Sequence, residues 1–143
     1  MRWKLINDDK QKTFAVILES GEEVMESLIS FANEQHLKAS QFTAIGAFSK
    51  ATTGFFDFSI KDYKKNLINE QVEVLSLTGD VSFYNNQSKV HAHVVLGKNN
   101  GDACGGHLMK ALVHPTLEII LTESPAWLQR KMDKESGIPL IKI

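Results

Sequence analysis

Cysteine occurs once in the chain, at Cys104. A lone thiol excludes an intramolecular disulfide framework and any zinc knuckle built from several thiolates. Arginine is nearly as scarce, with Arg2 and Arg130 the only two. Arginine is the usual two-point reader of guanine and phosphate, so its shortage argues against base readout. An excess of either charge is also missing: 16 basic residues stand against 17 acidic ones, a formal charge of −1. Sequence-independent affinity for nucleic acid comes from neutralising phosphates, so near-neutrality argues against a nucleic-acid coat. No stretch approaches the roughly eighteen apolar residues of a membrane span. No apolar run follows Met1-Arg2-Trp3-Lys4, so no secretory signal is visible. Together these absences lead us to expect a soluble, cytoplasmic protein with no membrane partner.

What is present suits one folded unit. The 143 residues are 43% hydrophobic and 23% charged, which is globular rather than disordered. A chain of this length can bury roughly two-thirds of its unfolded surface. We expect a single domain over residues 1–143, with 124–143 as a tail. The three prolines, Pro115, Pro125 and Pro139, lie late in the chain and leave the rest free for regular structure.

Thr13–Leu18 reads as a buried strand. The period then changes: Val24, Met25, Leu28, Ile29, Phe31 and Ala32 form a helical stripe, with Ser20 and Glu23 at capping-box spacing. This predicts a helix from about Glu22 to Gln35. Gln41–Thr53 reads as a strand whose Gly46 marks a bulge or a close backbone approach. Phe56, Phe58 and Ile60 alternate with Asp57 and Ser59 and predict another strand. Gln71–Tyr84 reads as two runs hinged near Gly79-Asp80. Val90–Leu96, Gly105–Val113 and Leu117–Thr122 complete the strands, and Leu140-Ile141 adds a short edge strand in the tail. One early helix before many strands points to an α+β fold, with a largely antiparallel sheet packed around that helix.

Three histidines carry the chemistry. His91 and His93, two apart on a strand, project from one face. Gly97-Lys98-Asn99-Asn100-Gly101-Asp102 is made of turn formers, and a hairpin there returns His107 alongside. With the turn centred on Asn100, paired positions sum to 200 and His93 faces His107. A one-residue slip would send His107 to the other face. Three neutral imidazoles with a fourth position left to water form an open zinc arrangement, which lowers the pKa of the bound water to about 7. The same spacing also suits solvated histidines, or histidines hydrogen-bonded at a subunit contact. Cys104 has the wrong parity to join them in a regular strand. His36 reads as a helix-end residue and His114 as a loop residue.

Glu73 is a second candidate. Alternation places it with Leu75 and Leu77 on one face, as a partly buried carboxylate able to orient a metal ligand or act as a base, or to pair with an edge lysine. Lys61, Lys64 and Lys65 around Tyr63 form the one local basic cluster with an aromatic and are the candidates for nucleic-acid contact, flanked by Asp57 and Asp62. No Walker or dinucleotide-binding pattern occurs.

Taken in order, Val72-Glu73-Val74-Leu75-Ser76-Leu77-Thr78-Gly79, His91-Ala92-His93 and Gly105-Gly106-His107-Leu108 resemble the PPC domain. This is the plants and prokaryotes conserved domain, also described as having a PD1-like DNA-binding motif. Gly21-Glu22-Glu23-Val24 and Ile45-Gly46-Ala47-Phe48 fit the same pattern, so the resemblance runs from about Phe14 to Glu123 and is to the stand-alone prokaryotic type. It implies a single α+β domain that assembles as a homotrimer. It further implies that His91, His93 and His107 bind a divalent metal, zinc or another, in a structural or hydrolytic role. Plant members mostly lack these histidines and contact DNA through a preceding AT-hook, whose Arg-Gly-Arg-Pro core is absent from this sequence. The alternatives are a DNA-associated regulator acting through the trimeric domain, and an assembly module holding a small ligand or a protein between subunits.

Overall fold

The computed structural model describes residues 1–8, 11–125 and 128–142. Within them the apolar alternations become strands β1 (Arg2–Asp8), β2 (Lys12–Glu19), β3 (Ala39–Asp57), β4 (Asp62–Ile68), β5 (Val72–Tyr84), β6 (Gln87–Gly97), β7 (Ala103–Glu123), β8 (Gln129–Met132) and β9 (Pro139–Lys142). Helix α1 (Val24–Glu34) falls between β2 and β3. The expected α+β fold, one helix against a largely antiparallel sheet, is what forms.

Pairing runs β1-β2-β7-β3-β5-β8-β9, with β4 added to β3 and β6 bridging β5 and β7. The circuit β7–β3–β5–β6 therefore closes on itself. Two long strands make this possible. The first part of β7 lies between β6 and β3, while its second part lies between β2 and β3. All these pairings are antiparallel, and among the described residues the parallel contact is Phe83 with Gln129. Even-numbered residues of β6, from Val90 to Leu96, point into the core with Leu77, Leu108, Leu117, Ile119 and Leu121. Odd-numbered His91, His93 and Val95 consequently face away from it.

The apolar stripe of α1 buries Val24, Leu28, Phe31 and Ala32, and the Phe31 ring meets Phe14 edge-on at 5.3 Å. The expected capping box is replaced by a self-contained cap. Glu23 itself is the N-cap, its carboxylate accepting from Glu26 N–H at 2.8 Å, while Ser20 turns to Pro115 O and His114 Nδ1. The other oxygen of Glu23 accepts from Ala111 N–H at 2.9 Å, so the cap also ties the helix to β7. His36 takes the left-handed position just past the helix (φ 55°), its N–H bonded to Asn33 O.

Three expectations are corrected. The alternation through Phe58 and Ile60 is not a strand: Asp57 accepts from Ser59 N–H and Oγ–H and turns the chain, leaving both apolar side chains exposed. Gln71–Tyr84 does not hinge at Gly79. It runs straight there because a Cβ-free residue admits the Phe42 ring and His91 O, each within 2.5 Å of where a Cβ would sit. His114 lies inside β7 rather than in a loop, joined to Pro115 by a cis peptide. The tail strand expected at Leu140-Ile141 forms as β9, paired with β8.

Gly46 combines both roles expected of it. The register shifts on either side of it, and at φ 153° a Cβ would lie 2.2 Å from Thr116 O. Because that neighbour is backbone, Gly46→Ala is expected to cost about 1–3 kcal/mol. Urea unfolding of the variant checks this. An unchanged midpoint would contradict the close approach.

Candidate metal centre

The turn between β6 and β7 is closed by Lys98 N–H on Asp102 O at 2.8 Å and Gly101 N–H on Lys98 O at 3.0 Å. Asn100 and Asp102 brace it through their side chains. The resulting pairs, His93 with His107 through Gly97 with Ala103, all sum to 200. Gly105 permits the approach, since a Cβ there would sit 2.2 Å from Val94 O. Cys104 pairs with Leu96 and packs against the core, away from the histidines.

One ring nitrogen from each of His91, His93 and His107 lies within 4.8 Å of the others. Ring centroids are 4.9 Å (His91–His93), 5.1 Å (His91–His107) and 5.5 Å (His93–His107) apart. Nitrogens on a shared tetrahedral ion stand roughly 3.4 Å apart, so small side-chain rotations bring the three within reach of one ion. The deepest ring supplies the strongest test of fit. His107 Nδ1 is buried and has no hydrogen-bond partner among the described residues. A buried polar atom without a partner carries a cost of about 1–3 kcal/mol, and a cation is a partner that suits an imidazole lone pair.

Two of the rings are biased towards the neutral form. Burial first, then the charges of His91, His93 and Lys89, push the His107 pKa down to about 4. Burial, followed by His91, also lowers His93. Neutral imidazole is the form that binds metal, so His107 is ready as a ligand well below the ordinary histidine range, and His93 is shifted the same way.

Two neighbours complete the surroundings. The Tyr63 ring lies over Gly54, where a Cβ would be 2.8 Å from Tyr63 Cδ1, and stacks on His107 at 4.8 Å and 28°. Asp80 pairs with His91 across β5 and β6, its Oδ2 3.4 Å from His91 Nδ1. Burial alone would raise the Asp80 carboxyl, but hydrogen bonds from His91 and Arg130 and the Arg130 charge hold it below the usual range.

Glu73 is not brought to the histidines. The register of β5 against β6 shifts between Val74 and Ser76, which reverses the parity of the preceding residues. Glu73 is thus exposed opposite Gly97, four residues and about 13 Å along β6 from His93. Asp80 stands where Glu73 was expected. A signal for it existed: Asn85-Asn86, both at positive φ, form a two-residue hairpin whose pairs sum to 171, setting Asp80 against His91. Lys61 lies in the β3–β4 turn, while Lys64 and Lys65 lie exposed on β4 opposite Phe55 and Gly54. Since Gly54 also pairs with His107, this basic strand borders the histidine cluster.

Comparisons with known proteins accord with this geometry. The family model of the Plants and Prokaryotes Conserved (PCC) domain matches residues 6–125. A plant- and prokaryote-conserved (PPC) protein from Pyrococcus horikoshii has a solved structure that is 29% identical, with a TM-score of 0.87 over 99% of this chain and 95% of that one. A protein from Archaeoglobus fulgidus described as metal-containing is 30% identical, with a TM-score of 0.84 over 100% of this chain and 99% of that one. A Ralstonia eutropha protein provisionally described as DNA-binding is 28% identical, with a TM-score of 0.85 over 91% of this chain and 90% of that one. No curated protein sequence matches the chain.

The lowered pKa values have a signed consequence for the metal-free chain. A histidine whose folded pKa lies below its unfolded value stabilises the fold above the unfolded value and loses that contribution as pH falls. Stability is therefore expected to decline from about pH 6.5 towards pH 4, partly through His107. His107→Gln should flatten this slope in urea titrations at stepped pH. A wild-type His107 imidazole titrating near 6.5 by NMR would contradict the burial assignment.

Proposed function

Since the chain belongs to the Plants and Prokaryotes Conserved domain family, we propose that it is a metal-binding member in which His91, His93 and His107 hold one divalent ion, zinc first among candidates. The observation that carries this reading is the convergence of three ring nitrogens within 4.8 Å of one another, on a cluster whose deepest ring has a buried Nδ1 with no partner among the described residues. The Archaeoglobus relative described as metal-containing adds support. Imidazole suits zinc, copper, iron and nickel, and three such ligands leave room for a fourth.

A bound zinc with an open position would act as a Lewis acid or activate a water. The chain's own contribution is to present three neutral nitrogens from two strands, to brace His91 through Asp80, and to roof His107 with Tyr63. Whether the role is structural or hydrolytic turns on a general acid or base. Among the described residues Asp80 is the carboxylate that reaches the cluster, and Arg130 already occupies it. This favours a structural or ligand-binding role over hydrolysis.

We further propose a homotrimer working in the cytoplasm. Ile45, Val95 and Ile120, 61%, 44% and 49% exposed, lie on the same outward side of the sheet as His93. Apolar surface of this kind beside a site fits a subunit contact, with the metal or a small ligand near it. No helix among the described residues is long and apolar enough to cross a membrane.

DNA binding is the second reading, favoured by Lys61, Lys64 and Lys65 on an exposed hairpin and by the provisional description of the Ralstonia relative. The balanced charge and the acidic neighbours Asp57 and Asp62 weigh against it.

Metal analysis of purified protein is expected to find close to one zinc per chain in the wild type and little in His107→Ala. Equal, negligible metal in both would overturn the proposal. Light scattering should give the mass of three chains, and a monomer would contradict the trimer. For the DNA reading, duplex binding should weaken steeply with salt. No binding at low salt would discard it.

A further inference from the structure

Arg130 is one of only two arginines in the chain and lies almost wholly buried, its side chain 7% exposed. A buried guanidinium needs both charge compensation and partners for its N–H groups. Its Nη2 donates to Asp80 Oδ1 and Oδ2 at 2.7 and 2.9 Å, its Nε to Ser82 Oγ at 2.6 Å, and its Nη1 to Pro139 O at 2.9 Å. Ser82 in turn donates to Asp80 Oδ1 at 3.1 Å. Asp80 is thereby held in one orientation, with Oδ2 left to face His91 Nδ1 at 3.4 Å. An ionised carboxylate at that nitrogen selects the ring form that carries its hydrogen on Nδ1, so Nε2 keeps the lone pair.

The connection has a topological side. Arg130 sits on β8, the strand that the C-terminal pair β8–β9 contributes to the sheet edge next to β5. Pro139 on β9 accepts one of its hydrogen bonds, so the terminal hairpin and the histidine cluster are joined through the Arg130–Asp80 ion pair.

We infer that Arg130 is a positioning residue for the metal: through Asp80 it fixes His91 as the Nδ1–H form with Nε2 available to the ion, coupling the C-terminal hairpin to metal affinity. This rests on the metal reading above, but half of it is testable without metal. In the metal-free protein at pH 8, imidazole nitrogen NMR should show His91 in the Nδ1–H form in the wild type. In Arg130→Met it should show the Nε2–H form or a mixture. Cobalt(II) titration, read by its visible spectrum against a competing chelator, should show affinity lower by about 10–100-fold in Arg130→Met. Arg130→Lys keeps the cation but not the separate contacts to Ser82 and Pro139, and should fall between them. It also serves as the test if the methionine variant does not fold. Ser136→Ala disturbs the same hairpin through the Ser136–Asp133 hydrogen bonds without touching Asp80 and should leave both readouts unchanged.

The same His91 form and the same cobalt affinity in wild type and Arg130 variants would overturn this inference and leave the metal reading intact. An equal loss in Ser136→Ala would also overturn it, by showing a general effect of the hairpin. A chain whose His91 form follows Arg130 but which takes up no cobalt would overturn the metal reading and leave the link from Arg130 to His91 standing.

Discussion

His93 can face His107 only if β6 and β7 pair without slippage, and the turn between them enforces that. The Lys98–Asp102 backbone bond closes the loop, and inside it the Asn100 side chain donates to the Asp102 carboxylate and accepts from Asp102 N–H. The register is also pinned from the other direction. Val94 and Leu96 are in the core, so a one-residue shift of β6 would expose them and bury His93 and Val95. The apolar core and the polar turn therefore specify one pairing, and the histidine cluster is a by-product of that pairing. No separate interaction is needed to bring the rings together.

Bringing them together has a cost that the surroundings meet unevenly. Burial, reinforced by the neighbouring rings, drives His107, the deepest of the three, towards neutrality. Each ring is held differently: His91 by Asp80, His107 by stacking beneath Tyr63, and His93 by its place on the strand facing solvent. Among the described residues, the His107 nitrogen is left without a partner. A cation would satisfy it, and this makes metal the economical reading of a cluster that would otherwise be a small defect in the fold.

Much of this was legible from residue order. Parity placed His91 and His93 on one face, and the turn formers between Gly97 and Asp102 placed His107 opposite, because both rules are local. The misjudged carboxylate shows where locality ends. Glu73 shares a simple alternation with Leu77, but the register shift between Val74 and Ser76 carries no glycine or proline to announce it. Asp80 could have been found from the Asn85-Asn86 turn, whose geometry sets its register against His91. Tyr63 read as part of a lysine cluster because its stacking on His107 depends on Gly54, a neighbour only across strands. Arg130 was hardest to see. It meets Asp80 from 50 residues away, through a parallel strand contact that no turn predicts. The helix shows the same limit on a smaller scale, since Ser20 and Glu23 have capping-box spacing but Ser20 is drawn away by Pro115 and His114.

The central claim is that a cation sits among three named imidazoles. A crystal of the purified protein, measured on both sides of the zinc absorption edge, addresses it directly. One anomalous peak per chain is expected between the rings of His91, His93 and His107, vanishing below the edge. Three well-ordered rings with no peak, in crystals grown with zinc present, would contradict it.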